Sequence, residues 1–319
     1  MITTASTEPP LRRKLPRLFV LLAIGILVIG ATVVYRHYRY ARPLGNGPSG
    51  PVVSREAFAS IWSGRPVVLL GLGDSVTQGL GASPGRTYFQ RLAKNPSDEF
   101  ENMRGLALSH VLPQLKPINL AISGTTSIEC VDYQLPKLQT YDAETFGVVV
   151  MTTGGNDAIH NYGRTPPREG AMYGAKASEI GEWVQNFDSR LDTIASRVRE
   201  TFPGGCHLFI ANIYDPTDGD GDIENAGLPP WPDGLQVVAA YNEVLARFAD
   251  RHRDVTLIDM RAAFLGHGIH CTHFWHRHYR ADDPHYWYWD NLEDPNDQGY
   301  DAIRRLFLIE IARVLPGEL

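Results

Sequence analysis

Ser75 is the side chain best placed in the sequence to act as a nucleophile. It follows the apolar run 66–73, which ends in glycine and is typical of a parallel strand covered on both faces. A hydroxyl in the turn after such a strand lies at the carboxyl edge of the sheet, where open α/β folds bind their ligands. The alternative is that Asp74 and Ser75 only cap the next helix, as these residue types often do.

Two further segments carry groups suited to stabilising an oxyanion. Gly124 follows the strand-like segment 116–122, and Asn156 follows the strand-like segment 147–153. A serine nucleophile needs hydrogen-bond donors aimed at the negative charge that develops on the attacked carbonyl. The backbone N–H groups of Ser75 and Gly124 and the side-chain amide of Asn156 are such donors. Each segment alone could be ordinary turn chemistry, but three in order, each after a strand, favour a serine hydrolase.

These segments resemble the sequence blocks of the SGNH (GDSL) hydrolase superfamily. The resemblance runs from about residue 67 to residue 312, with G-D-S at 73–75 and G-x-N-D at 154–157. It implies that Ser75 is the nucleophile and that Gly124 and Asn156 complete the oxyanion hole. It also implies esterase or lipase activity without a cofactor, on a flavodoxin-like three-layer α/β/α fold with a five-stranded parallel sheet.

The last block of the family departs from the family pattern D-x-x-H-P-N-x-x-G-Y, which carries the acid and the base. Here Asn291 takes the place of the aspartate and Asp294 that of the histidine. An unassisted serine hydroxyl is a weak nucleophile, so a base is still required. Asp282 and His285 repeat the D-x-x-H spacing nine residues earlier. We therefore predict His285 as the general base and Asp282 as the acid that orients it, with Asp294 as a competing orienting acid.

The segment around His285 has an unusual composition. Six of the eleven histidines fall between residues 266 and 286, among several aromatic residues. A zinc site is one interpretation, but no cysteine pair or spaced carboxylate completes a ligand set. We favour an aromatic lid over the active site, since long irregular loops are usually functional. Three alternatives stay open: His285 is a surface residue, another histidine of this segment is the base, or the site is inactive.

A second unusual loop, 215–224, alternates carboxylates with glycines. Asp218, Asp220 and Asp222 are candidate Ca²⁺ ligands, because hard oxygen donors suit this ion. The loop is no EF-hand, since Ile223 stands where that loop has its invariant glycine. The alternative is a set of solvated turn carboxylates. No metal is predicted in the catalytic mechanism.

The N-terminal region predicts a membrane anchor. Residues 18–35 are uncharged and strongly apolar, about the minimum length for crossing a bilayer. Basic residues precede this run, and no clear cleavage site follows it. We predict a cytoplasmic basic segment at 1–17, a transmembrane signal anchor at 18–35, a juxtamembrane tether at 36–60 and the hydrolase domain at 61–319. The hydrolase domain would then be extracytoplasmic; a cleaved signal peptide is the alternative.

Alternating strand-like and helix-like segments predict a parallel sheet with helices on both faces. The strands are expected at 67–73, 116–122, 147–153, 206–213 and 255–259, and the helices at 85–94, 129–138, 178–202, 234–252 and 296–314. The chain has three cysteines, an odd number that allows one disulfide and one free thiol outside the cytoplasm.

Charge excludes one class of partner. After residue 43 the chain holds 23 basic and 35 acidic residues, a net charge of −12, which disfavours nucleic acid. The sequence as a whole predicts a membrane-tethered serine esterase that hydrolyses carboxylic esters, either acyl or acetyl groups on lipids or glycans, through an acyl-enzyme. Two alternatives remain: a ligand-binding protein that lacks a working base, and a metal-dependent hydrolase that uses the histidine-rich segment.

Overall fold

The computed structural model of the protein describes residues 14–319, apart from the side chains of residues 14–16 and 37–39. Helix α1, Lys14–Tyr40, forms a unit of its own, and a second unit begins at Pro43 and ends at Leu319. Within α1, the stretch Arg17–Arg36 is long and apolar enough to cross a membrane, with a mean hydropathy of 2.7. A signal sequence near the N-terminus meets the same criterion.

The second unit is built around one parallel sheet, which confirms the predicted fold class. The strands lie in the order β2-β1-β3-β4-β5, the flavodoxin-like arrangement. The strand order reverses between β1 and β3, and this switch point is where such folds bind ligands. The strand bounds are β1 Val67–Gly73, β2 Leu115–Asn119, β3 Phe146–Thr152, β4 Cys206–Ala211 and β5 Val255–Ile258.

Alternate side chains of the central strands pack into two different core layers. Val148 and Val150 of β3 face one layer, and Val149 and Met151 face the other. All four are fully buried, because helices cover both faces of the sheet and an apolar run therefore suits this strand. The helices are α2 Ser75–Gln78, α3 Tyr88–Ala93, α4 Leu108–Val111, α5 Ser127–Glu129, α6 Gly155–Ile159, α7 Gly181–Thr201, α8 Gly234–Arg251, α9 Met260–Phe264 and α10 Asp297–Val314.

The prediction of one α-helix at 129–138 is wrong, because two other kinds of helical turn occupy this segment. A π-helical turn, Cys130–Gln134, follows α5, and a 3-10 turn that contains Pro136 follows the π-helical turn. Proline has no N–H for an α-helical bond, so the helix cannot continue through it. The wider turn lets the buried side chain of Gln134 bond both backbone groups of Gly73, accepting from its N–H at 2.8 Å and donating to its carbonyl at 2.7 Å. This irregular segment thus holds the end of β1, just before Ser75.

The cysteines do not form the disulfide that the sequence allowed. Cys130 and Cys206 are free thiols. With three cysteines in the chain, any disulfide within it would need one of these two.

Candidate active site

In the turn after β1, Asp74 caps the next helix and Ser75 faces a cleft, so the two residues have different roles. Asp74 is the N-cap of α2, and its Oδ1 accepts from the N–H of Val76 at 3.1 Å and from the hydroxyl of Thr152 at 2.6 Å. Ser75, the first residue of α2, is only 8% exposed and lines a cleft at the sheet edge. The aspartate therefore satisfies the helix end, and the serine hydroxyl remains available to the cleft.

Asp74 is an unusual carboxylic acid. Burial raises its pKa to about 7, although the hydrogen bonds from Thr152 and Val76 act in the opposite direction. The nearby carboxyl groups of Asp294 and Asp157 contribute to this rise. The site thus holds one aspartic acid, Asp74, whose pKa lies close to neutral pH.

Of the two predicted oxyanion residues, Asn156 lines the cleft that contains Ser75 and Gly124 does not. Asn156, on α6, is 7% exposed and lines the same cleft as Ser75. Its side-chain nitrogen donates to the carbonyl of Thr125 at 2.9 Å. Gly124 precedes Thr125 with a φ of +82°, a conformation that favours glycine, and it is exposed beside a shallow depression. The hydroxyl of Thr125 in turn donates to Gly73 at 2.8 Å, which attaches this turn to the end of β1.

Asp294 lies next to Ser75 and is nearly inaccessible, at 1% exposure. Its Oδ2 accepts from the side-chain nitrogen of Asn291 at 2.6 Å. The Ser75 hydroxyl is close enough to hydrogen-bond the carboxylate and lower its pKa, yet burial outweighs both partners and the pKa of Asp294 is raised overall. Its other oxygen, Oδ1, is buried without a well-aligned hydrogen-bond donor. Asn291 therefore holds one oxygen of the carboxylate, Oδ2, while the other oxygen, Oδ1, has no such donor.

The structure does not bring Asp282 and His285 to Ser75. His285 Nδ1 lies 2.6 Å from Asp283 Oδ1, and its side chain is 37% exposed. Asp282 is exposed at the surface. Within the described residues 43–319, no histidine lines the cleft that contains Ser75. The D-x-x-H spacing therefore lies outside the cleft, whereas the N-x-x-D spacing lies at the nucleophile.

The cleft itself is mainly apolar. It holds about 1090 Å³ of empty space, including its opening to solvent. Its walls come from seven separate stretches of the chain, so no local sequence pattern marks the apolar lining. The apolar lining includes Ile159, Ile213, Leu228, Trp231, Leu235, Val238 and Leu292.

The acidic loop contributes residues such as Asp215, Thr217 and Ile223 to the wall of this cleft, and it also contacts the histidine-rich segment, of which none of the residues 266–286 lines the cleft. Asp218 joins the two loops, because its carboxylate accepts the backbone N–H groups of Gly266, Gly268 and His270 at 2.8 to 2.9 Å. Beyond it, Asp220, Asp222 and His270 have potential ligand atoms within 4.8 Å of one another. Of the three predicted Ca²⁺ ligands, Asp218 is thus occupied by backbone donors.

Comparison with known proteins matches residues 72–302 to the GDSL-like Lipase/Acylhydrolase family. A lipase, Lip_vut3, from a goat rumen metagenome has a similar fold, with a TM-score of 0.50, 16% identity, and coverage of 76% of this chain and 95% of that one. Phospholipase A1 from Streptomyces albidoflavus NA297 has a TM-score of 0.44, 20% identity and coverage of 78% and 99%. The acetylxylan esterase Axe2 from Geobacillus stearothermophilus has a TM-score of 0.45, 16% identity and coverage of 78% and 95%.

The likeness to Lip_vut3 is distant and concerns the fold alone. No curated protein sequence matches the chain. The family match, however, spans most of the second unit and includes the segments of Ser75, Asn156 and Asp294. The chain belongs to the GDSL-like Lipase/Acylhydrolase family.

Proposed function

We propose that the protein is a serine hydrolase that cleaves carboxylic esters of apolar acyl groups through an acyl-enzyme. The observation that carries this proposal is the position of Ser75. It lies at the switch point of the sheet, beside Asn156 and Asp294, in a cleft lined by apolar side chains. Membership in a family of lipases and acylhydrolases supports the same reaction class.

In the proposed reaction, the Ser75 hydroxyl attacks the acyl carbon and loses its proton to a base. The backbone N–H groups of Ser75 and Gly124 and the side-chain amide of Asn156 stabilise the oxyanion. The amide of Asn156 carries two N–H donors, and one of them donates to Thr125, which leaves the other for substrate. The alcohol leaves, and water then releases the acyl group by the same route.

The lining of the cleft supports an acyl substrate larger than acetate. Apolar side chains such as Trp231, Leu235 and Val238 offer no partner for the hydroxyl groups of a sugar, but they would bury an alkyl chain. Each buried methylene contributes about 0.8 kcal/mol of binding free energy. We therefore place the acyl chain in this cleft and the alcohol at its opening.

The N-terminal helix supports attachment to a membrane. The apolar stretch Arg17–Arg36 has the length of a membrane span, and basic residues before it favour a cytoplasmic N-terminus. We propose residues 1–17 as cytoplasmic, 18–35 as the anchor, 36–60 as the tether and 61–319 as an extracytoplasmic hydrolase domain. The substrate would then be an ester in or near the membrane.

A metal has no part in the proposed reaction. Calcium at Asp218, Asp220 and Asp222 would have to displace the backbone donors of Asp218. A cation bound instead by Asp220, Asp222 and His270 would lie outside the lining of the cleft and would join two loops. The second candidate function is a binding protein without turnover, and the observation that favours it is an aspartate at the position of the family's histidine.

The full-length protein in detergent tests both candidates with p-nitrophenyl acetate and p-nitrophenyl octanoate. We expect a higher kcat/KM for the octanoate, and loss of turnover on both esters in Ser75→Ala. In Val238→Trp, a larger side chain should fill the cleft, so octanoate hydrolysis should fall while acetate hydrolysis persists. Turnover that survives in Ser75→Ala would refute the serine mechanism. Octanoate binding without turnover by the folded wild type would favour the binding protein.

A further inference from the structure

Within the part of the chain that the structure describes, the ionisable side chains that line the cleft of Ser75 are carboxyl and phenol groups, and none is an imidazole. Asp294 lies close enough to the Ser75 hydroxyl to hydrogen-bond it. Four other groups face Asp294: Asp74 from the turn after β1, Tyr214 from the segment after β4, Tyr300 from α10 and the neighbouring Glu293. Burial raises the pKa values of all four, and Asp74 also binds Thr152 and Val76. Asp294 alone combines contact with Ser75 and an oxygen without an aligned donor.

Asn291 and Asp294 form a hydrogen-bonded pair across a turn. The amide nitrogen of Asn291 donates to the carboxylate, and its amide oxygen accepts the backbone N–H groups of Glu293 and Asp294 at 3.2 and 3.1 Å. Leu292, one of the two residues between Asn291 and Asp294, has a φ of +68°, which is uncommon for a bulky side chain. Such backbone outliers persist only where the surroundings hold them.

In this pair the hydrogen-bond donor and acceptor are exchanged relative to the aspartate–histidine pair of the family pattern. An aspartate that orients a histidine accepts a hydrogen bond from its N–H. An asparagine that orients an aspartate must instead donate one, and Asn291 does so at 2.6 Å. The two departures from the family pattern are therefore compatible with each other, because an aspartate at both positions would place two acceptors together, whereas Asn291 supplies a donor to Asp294.

We propose that Asp294 is the general base that activates Ser75, and that Asn291 is its positioning residue. The inference rests on the proposed function, since it assigns the base of that same reaction. As Ser75 Oγ bonds to the acyl carbon, its proton moves to Asp294 Oδ1. Asp294 returns this proton to the alkoxide as the ester bond breaks and the alcohol leaves. Water then attacks the acyl-enzyme, giving one proton to Asp294, which restores Ser75 as the acid departs.

Burial supports this role in two ways. A carboxylate away from water holds protons more strongly than an exposed one, so Asp294 is a stronger base than an ordinary aspartate, as the direction of its pKa shift indicates. Taking up the proton also makes the buried carboxyl group neutral, whereas a histidine base would become a buried cation. Imperfect alignment between Ser75 and Asp294 does not count against the role, since catalytic hydrogen bonds often tighten only when substrate binds.

Four variants of the full-length protein test the inference through kcat/KM for p-nitrophenyl octanoate. In Asp294→Asn, which keeps the shape but removes the base, we expect activity to fall by about 100- to 10,000-fold. His285→Ala should stay within about twofold of the wild type, because its ring lies outside the cleft. In Asp294→His, activity should exceed that of Asp294→Asn. Its pH–rate profile should show an acid limb at about pH 6.5, the ordinary pKa of histidine. Ser75→Ala is the fourth variant and should abolish turnover.

The outcomes separate this inference from the proposed function. If Ser75→Ala abolishes turnover while Asp294→Asn retains it, the serine reaction stands and the assignment of Asp294 fails. If His285→Ala loses as much as Asp294→Asn, the base is not Asp294 alone, and the inference is again refuted. If Ser75→Ala remains active, the proposed function itself fails. Thermal unfolding of each variant checks that it folds; should Asp294→Asn not fold, the acid limb of Asp294→His decides.

Discussion

Two segments near the C-terminus carry a polar pair with the same three-residue spacing, but they lie in different environments. Asp282 is exposed at the surface, and His285, 37% exposed, pairs with Asp283 rather than with Asp282. Asn291 and Asp294 bond to each other, and Asp294 is 1% exposed beside Ser75. A spacing of three residues lets two side chains meet across a turn. Whether they can take part in catalysis depends on their burial and on the group that the turn faces.

The backbone between the two segments explains their separation. Hydrogen bonds from the N–H of Tyr286 to Pro43 and from the N–H of Trp287 to His267 hold the chain just after His285. Tyr288 then forms an antiparallel bridge with Pro295, and the N–H of Trp289 donates to the carbonyl of Asp294 at 2.7 Å. Residues 289–294 thus form a closed loop that carries Asp294 to Ser75, while His285 stays before the loop.

Among variants that test the difference between the two segments, we expect the largest loss of activity from Asn291→Asp. This variant retains an oxygen for the turn but replaces the N–H donor with a second carboxylate beside Asp294. Loss of a hydrogen bond to a charged group costs about 1.5–3 kcal/mol, so kcat/KM at neutral pH should fall by about 10- to 100-fold. Two adjacent carboxylates also share a proton, so the acid limb of the pH–rate profile should move to higher pH.

The pH profile distinguishes positioning from a purely structural role. A base must be deprotonated to act, so activity of the wild type is lost as the pH falls through the pKa of Asp294. In Asn291→Asp two carboxylates titrate together, and the acid limb reports both of them rather than one residue. Asn291→Ser removes the amide donor and adds no charge. It should therefore lower activity without moving the acid limb of the pH–rate profile to higher pH. An unchanged profile in Asn291→Asp would contradict the proposed contact between the pair and the reaction.

An effect on stability rather than on catalysis is expected from Asp74, which is buried in the same site as Asp294. Its folded-state pKa of about 7 lies above the ordinary value of 3.8, so the protonated form stabilises the folded state. That contribution is complete below about pH 4 and is lost as the pH rises towards 7. Relative to Asp74→Asn, which keeps an oxygen for the helix cap, the wild type should lose up to about 1.4 kcal/mol per pH unit in this window. Urea unfolding at several pH values measures the difference, and parallel curves would contradict it.

Much of the fold and part of the site follow from local sequence. The apolar strands before Ser75 and Asn156 predict both the parallel sheet and the edge at which these residues lie, because each signal is contained in one short segment. The family and the fold class predicted on that basis are confirmed. Strand and helix ends differ by a few residues, and the segment with Pro136 breaks the expected helical pattern.

The rest of the site depends on contacts between distant segments. Local spacing favours Asp282–His285, which matches D-x-x-H, over Asn291–Asp294, and only the packing of the chain brings Asp294 rather than His285 close to Ser75. The apolar cleft has no sequence signature either, since Ile159, Ile213 and Val238 come from three different parts of the chain. His285 as the base remains a prediction from spacing, and the variants of Asp294 and His285 decide between the two.

The smallest effect is expected at the exposed pair of the comparison. Asp283 and His285 lie 2.6 Å apart, with side chains 26% and 37% exposed. Solvent screens such pairs, which typically contribute about 0.2–1 kcal/mol to stability. Asp283→Ala should therefore lower the free energy of unfolding by less than about 1 kcal/mol and leave octanoate hydrolysis unchanged, whereas Asn291→Asp impairs it. If Asp283→Ala instead reduced turnover as strongly as Asn291→Asp, the surface segment would have to reach Ser75 during the reaction, and the contrast between the two segments would not hold in solution.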